Sequence, residues 1–199
     1  MRARRQPGGG HPSRVASHPG GAVNSDPHDL RTPSAWVVRW AERLPSGGRV
    51  LDVASGSGRH ARFLAARGHP VEAVDRDPTA LSGLAGVPAV STRCADLENG
   101  PWPFEDVLFA GVVVVNYLHR PLFPRLLAAM APAGVLIYET FAAGNERYGR
   151  PSNPAFLLNA GELLDVVRGR LRVIAYEDLY VSEPKPAMIQ RICAVNASD

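Results

Sequence analysis

Short apolar runs ending in glycine-rich or acidic turns alternate with amphipathic stretches along most of this chain. Arg49–Ala54 reads as a first strand, and Arg59–Arg67 as a helix with Ala61, Phe63, Leu64 and Ala65 turned to one side and Gly68 as its stop. Pro70–Val74 is a second strand, Pro78–Leu84 a short helix and Ala89–Cys94 a third strand. Leu108–Val115 is apolar throughout, as a strand covered on both sheet faces should be. A helix over Leu122–Met130 is expected to end before Pro132, with a fifth strand at Gly134–Phe141. Upstream, Thr32 can cap a helix with Pro33 at its first position, placing Trp36, Val37, Trp40 and Leu44 on one face before the stop at Pro45–Gly48. The two tryptophans read as core packing or as a lid. Downstream, Asn159–Val167 is helical, with Asn159 a candidate cap and Glu162 completing a capping box. Leu171–Val181 and Met188–Asn196, joined through Glu183-Pro184-Lys185-Pro186, suit an antiparallel pair at the end of a mostly parallel sheet. No internal repeat is visible.

The alternation predicts an α/β fold: a Rossmann-like, doubly wound, seven-stranded and mainly parallel sheet with one antiparallel strand at the end. Residues 32–199 form one domain. Residues 1–31 read as a disordered basic tail, rich in Gly, Pro, Ser, His and Arg and nearly devoid of large apolar side chains. The tail explains the net charge. It carries five arginines and two aspartates, which equals the +3 of all 199 residues, so the rest of the chain is neutral. A neutral domain gives no electrostatic footprint for a polyanion, and no nucleic-acid partner is expected. His11, His18 and His28 in the tail are irregularly spaced and read as solvated, so no metal is expected. Cys94 and Cys193 make no disulfide framework and suit a reducing compartment. The longest strongly apolar run, Val107–Val115, has nine residues, far short of a membrane span. The basic N-terminus lacks an apolar stretch after it, so it is no secretory signal. A cytoplasmic protein without membrane contact follows.

The chemistry concentrates in Val50-Leu51-Asp52-Val53-Ala54-Ser55-Gly56-Ser57-Gly58, where an apolar strand meets an acid and then a glycine turn. Asp75, 23 residues after Asp52, closes the second strand. A glycine loop lets a ligand approach the backbone, and a strand-end carboxylate can accept from ribose hydroxyls. Gly-Ser-Gly-Arg-His-Ala also fits the dinucleotide pattern G-x-G-x-x-[GA]. Against that reading, Asp52 would set a negative charge near a pyrophosphate, and no length remains for a separate substrate domain. A cationic or neutral ligand suits the loop better.

These residues resemble the motifs of class I S-adenosylmethionine-dependent methyltransferases, close to the small bacterial group similar to tellurite-resistance methyltransferases. Val50–Gly58 resembles the first motif, with Ala54 in place of its first glycine. Val74-Asp75-Arg76-Asp77, Cys94-Ala95-Asp96-Leu97 and Val113–Leu118 resemble the second, third and fourth, and Leu136–Phe141 the strand after them. The resemblance covers residues 33–196 and implies S-adenosylmethionine as cofactor, with a methyl group passed to a small-molecule acceptor. It assigns Asp52, Ala54, Gly56 and Gly58 to the methionine end, Asp75 with Arg76 to the ribose side, Asp96 and Leu97 to the adenine, and the Asn116 carbonyl to the sulfonium. Non-catalytic cofactor binding and a nicotinamide-dependent reductase are the alternatives.

A sulfonium methyl is already electrophilic, so aligning a nucleophile behind it and excluding water can suffice. No Ser/His/Asp set, Cys-x-x-Cys or His-Glu-x-x-His occurs. Ligands bind at the carboxyl ends of parallel strands, which points to Asn116, Tyr117 and His119 after strand four, and Glu139, Asn145, Arg147 and Tyr148 around strand five. Tyr117, His119 and Glu139 are the catalytic candidates. Tyr117 lines a methyl channel or packs. His119 acts as a general base or caps the next helix. Glu139 serves the pocket or pairs with an arginine. Ala142–Pro154 reads as a segment covering the substrate.

Overall fold

The computed structural model describes residues 32–197, so the predicted tail and its three histidines lie outside the described residues. Seven strands form one sheet: β1 Val50–Val53, β2 Val71–Asp75, β3 Val90–Cys94, β4 Phe109–Val115, β5 Met130–Phe141, β6 Arg172–Val181 and β7 Ala187–Val195. Their order is β3-β2-β1-β4-β5-β7-β6. All neighbours from β3 to β5 are parallel. The reversed strand is β7, antiparallel to both β5 and β6, so it lies one place in from the edge. The chain crosses over between β3 and β4, which opens a crevice above β1.

Among the described residues, five α-helices cover the sheet: α1 Ala35–Trp40, α2 Arg59–Ala65, α3 Pro78–Ser82, α4 Phe123–Ala128 and α5 Glu162–Val167. One core cluster packs α1, α2 and α3 on the sheet around Trp36, Val37, Leu64 and Ile137. The other packs α4 and α5 around Leu51, Val112, Leu136 and Leu163. Trp36 is 1% exposed and its indole N–H donates to the Ile192 carbonyl, so it is core and not lid. Glu72 breaks the apolar run of β2 and is buried, but Arg49 at the foot of β1 and Arg93 of β3 both pair with it.

Three boundaries differ from the sequence reading. The cap of α1 is Ser34 and not Thr32; its hydroxyl accepts from the Trp36 N–H. The predicted Leu122–Met130 helix is shorter, because Leu122 sits in a 3-10 turn and Met130 pairs with Phe109 as the start of β5. Pro132 therefore lies inside the span of β5, at a register shift before Val135, where the Asn196 side chain donates to the Met130 and Ala131 carbonyls. Gly161 and not Asn159 caps α5, although Glu162 does accept from the Asn159 N–H as a capping box requires. No helix among the described residues is long and apolar enough to cross a membrane.

Candidate functional site

The carboxyl ends of β1, β2, β3 and β4 surround a cavity of about 230 Å³. Ala54, Asp75, Arg76, Ala95, Asp96, Leu97, Glu98 and Tyr117 line it. Of the cofactor-binding candidates, Ala54, Asp75, Arg76, Asp96 and Leu97 meet there beside Tyr117, whereas Asp52, Gly56, Gly58 and Asn116 do not line it. Asp75 organises the loop: one oxygen accepts from the Gly56 N–H at 2.8 Å and the other from the Asp77 N–H at 2.9 Å. An ionised carboxylate offers about four lone-pair sites, so both oxygens can still receive hydroxyl donors.

The loop itself runs through the left-handed region at Ala54, Gly56 and Gly58, with φ of 51°, 52° and 77°. Gly56 gives the approach that the motif requires: a Cβ there would meet no atom within 4 Å. At Gly58 a Cβ would run into the Leu84 side chain, so this glycine permits the close packing behind the loop. Ala54 holds a conformation that costs an alanine about 1–2 kcal/mol.

Asp96 turns back on its own loop. It accepts from the Glu98 N–H and from both nitrogens of Asn99. The Asn99 side chain first, and these backbone donors next, hold its carboxyl below the usual range. Tyr117 follows Asn116, whose φ of 58° turns the chain at the end of β4. The Tyr138 hydroxyl donates to the Tyr117 carbonyl at 2.8 Å and pins that loop. Burial, then the nearby Glu98 and Asp96, raise the Tyr117 phenol above its ordinary value. Tyr117 therefore stays protonated, its hydroxyl donating to the Glu98 carboxylate, and lines the cavity as a neutral phenol and not a phenolate base.

The other two catalytic candidates lie elsewhere. Glu139 does not line the cavity. It accepts from the Ser34 hydroxyl at 2.7 Å and pairs with Arg191 at 3.1 Å, and Arg191 in turn binds Glu177. Of the two roles the sequence left open, the arginine partnership is the one the geometry builds. His119 precedes the 3-10 turn Arg120–Leu122 and does not line the cavity either. Its side chain does not cap that turn. Asn145 is buried under the Ala142–Pro154 segment, donating to the Pro151 carbonyl and accepting from the Met188 N–H. Arg147 and Tyr148 are exposed above it.

Two residues that the sequence reading passed over join this region. Ser34 donates its N–H to His60 Nε2 at 3.1 Å. His60 is 4% exposed, and burial, aided by Arg59, pushes it down to about 3, so the ring is neutral. Thr32-Pro33-Ser34 and the Arg59-His60 pair after the glycine loop were visible as residues. Their meeting was not, because 26 positions separate them.

The doubly wound sheet and its carboxylate-held glycine loop resemble the fold of S-adenosylmethionine-dependent methyltransferases. Residues 50–133, from β1 into β5, match the family described as a methyltransferase domain. The chain resembles the TehB group. Its fold is similar to TehB from Haemophilus influenzae, with 16% identity and a TM-score of 0.68 over 82% of this chain and 62% of TehB, so it spans less than two thirds of that protein. The N-methyltransferase NodS from Bradyrhizobium japonicum aligns at 14% identity and TM-score 0.63, covering 81% of this chain and 94% of NodS. The [4+2]-cyclase SpnF aligns at 17% identity and TM-score 0.63, covering 82% and 80%. At such identities the likeness is one of fold, and SpnF shows that this fold is not tied to one reaction. No curated protein matches the chain in sequence.

The residues present fit S-adenosylmethionine. Asp52 Oδ2 and Ser55 Oγ do not line the cavity but lie buried on either side of Ala54, which does, as acceptors with no hydrogen-bond partner, suited to an ammonium donor at the methionine end. Asp75 faces the cavity where ribose hydroxyls would donate, and Asp96-Leu97 borders its far side. Among the described residues, no group of His, Cys, Asp and Glu is placed to hold a metal ion.

Proposed function

We propose that this chain moves the methyl group of S-adenosylmethionine to a small-molecule acceptor, and that it does so by alignment and not by proton abstraction. One observation carries the reading: a nucleoside-sized cavity at the carboxyl ends of β1–β4, beside a glycine loop fastened by Asp75. When bound, the cofactor supplies a methyl group already activated by its positive sulfur. The protein's part is to bind, orient and exclude water. Asp75 and Arg76 hold the ribose side, Asp96 and Leu97 border the adenine, and Asp52, Ala54, Gly56 and Gly58 enclose the methionine end. The Asn116 carbonyl, at the turn after β4, supports the sulfonium. Tyr117 presents its ring to the ligand, with its hydroxyl held by Glu98.

None of Tyr117, His119 and Glu139 brings a free base to the cavity, which supports alignment. Tyr117 keeps its proton, Glu139 is committed to Ser34 and Arg191, and His119 stands outside the lining. Glu139 then serves as a positioning residue. An acceptor that is nucleophilic without deprotonation, such as a soft anion or a neutral amine, suits such a site. The two unpaired cysteines suit a cytoplasmic setting.

The test is release of S-adenosylhomocysteine when the protein is mixed with S-adenosylmethionine and fractions of small metabolites. Asp75→Ala should weaken cofactor binding by roughly 1–3 kcal/mol in calorimetry, the scale of lost charge-assisted hydrogen bonds. Cofactor binding without release in any fraction would make the chain a binding module, and binding of NAD(P)H instead would make it a reductase.

A further inference from the structure

We infer that cofactor binding by this chain is coupled to release of a proton from Asp52, drawn out by the ammonium group at the methionine end of the ligand. The inference rests on the methyltransferase reading and adds a proton linkage to it.

Asp52 lies within β1, between Ala73 of β2 and Val113 of β4 in register, and is 1% exposed. A buried carboxylate that is ionised usually gathers two or three donors. Asp52 has one, the Ala61 N–H, while its Oδ2 has no partner. Ser55, also buried, likewise has a hydroxyl oxygen without a partner. The charged and titratable groups around Asp52 are few. From α2, Arg59 favours the ionised form, and His60 is neutral. From β2, Asp75 opposes ionisation, and the residue opposite on β4 is apolar. Burial outweighs Arg59 and pushes the Asp52 carboxyl up to about 7.

At and below neutral pH, a large share of the unliganded protein therefore carries Asp52 as the neutral acid. An arriving ammonium brings a positive charge and three N–H donors to two acceptors that lack partners. The ionised carboxylate is then the favoured form. The O–H bond of the carboxyl breaks, the electron pair stays on the carboxylate, and the proton passes to solvent. No other bond changes. Cofactor affinity should therefore rise up to tenfold per pH unit below 7 and level off above it.

The experiment is calorimetric titration of the full chain with S-adenosylmethionine at pH 6 and pH 7, in phosphate and in Bis-Tris, whose different heats of ionisation reveal the released proton. The difference in heat between buffers counts protons. The expected release is close to one proton at pH 6 and about half a proton at pH 7. S-adenosylhomocysteine, which keeps the ammonium, should release as many. Methylthioadenosine, which lacks the amino acid end, should release none. Asp52→Asn should abolish the release and flatten the affinity profile. If that variant does not fold, the pH profile of wild-type affinity carries the test alone. Less than a tenth of a proton at pH 6, or equal release with methylthioadenosine, overturns the inference while leaving the function standing. Release with S-adenosylmethionine but not S-adenosylhomocysteine overturns the ammonium assignment. Failure to bind S-adenosylmethionine at any pH sinks the functional reading itself.

Discussion

Asp52 and His60 occupy one buried corner and titrate in opposite senses. The folded Asp52 carboxyl sits near 7, above its ordinary 3.8, so its contribution to stability is full below about pH 4 and is lost as pH rises toward 7. The folded His60 sits near 3, below its ordinary 6.5, so its contribution is full above 6.5 and is lost as pH falls toward 3. Each shift corresponds to something on the order of 4 kcal/mol. Between about pH 4 and 6.5 the two slopes oppose each other, and the cofactor-free protein should show little pH dependence from this corner. Asp52→Asn should uncover stability that rises with pH across that window, and His60→Gln stability that falls with it, both read from urea unfolding. Flat profiles in both variants would refute the opposition. At this scale the sequence was legible where spacing encodes the role. Asp75 closes β2, Gly56 and Asp96 lie in the loops after β1 and β3, and Asp52 lies within β1, positions that follow from the apolar runs. Ser34 and His60 were illegible because their value lies in partners 26 and 105 positions apart along the chain.

The elements follow the same division. The strands were legible, β4 most plainly, since a parallel strand buried on both faces is an unbroken apolar run. Helix ends were less so. Pro132 signals the end of a helix, yet here the helix has already stopped at Ala128, and the chain passes Pro132 in an irregular stretch of β5 tied down by Asn196. That anchor comes from beyond β7, and no local pattern contains it. Glycines divide similarly. Gly58 and Gly68 both have positive φ, but only Gly58 has a neighbour, Leu84, where a Cβ would stand. Gly58→Ala should cost about 2–5 kcal/mol, combining the left-handed penalty with overpacking between the loop and Leu84. Gly68→Ala should cost only the first part, about 1–2 kcal/mol. Urea midpoints of the two variants check the difference.

Across the whole molecule, the sheet has two halves with different roles. Strands β3, β2, β1 and β4 carry the cavity. Strands β5, β7 and β6 carry an ion row in register, Glu139–Arg191–Glu177, with Arg39 of α1 pairing with Glu177 at its end. Ser34 connects the halves, donating its N–H to His60 behind the loop and its hydroxyl to Glu139. Ser34→Ala removes both a helix cap and a hydrogen bond to a charged group, and should cost about 2–4 kcal/mol. A cycle with Glu139→Gln should show coupling of at least about 0.5 kcal/mol, as contacting residues do, whereas independent sites would add.

That single serine also sets a rule for anyone recombining chains of this fold. A hybrid that keeps residues 32–134 and borrows its remaining strands from a relative will inherit the donor half of the machine without its buckle. Unless the graft offers a carboxylate where Glu139 stands, the first helix will be fastened on one side only.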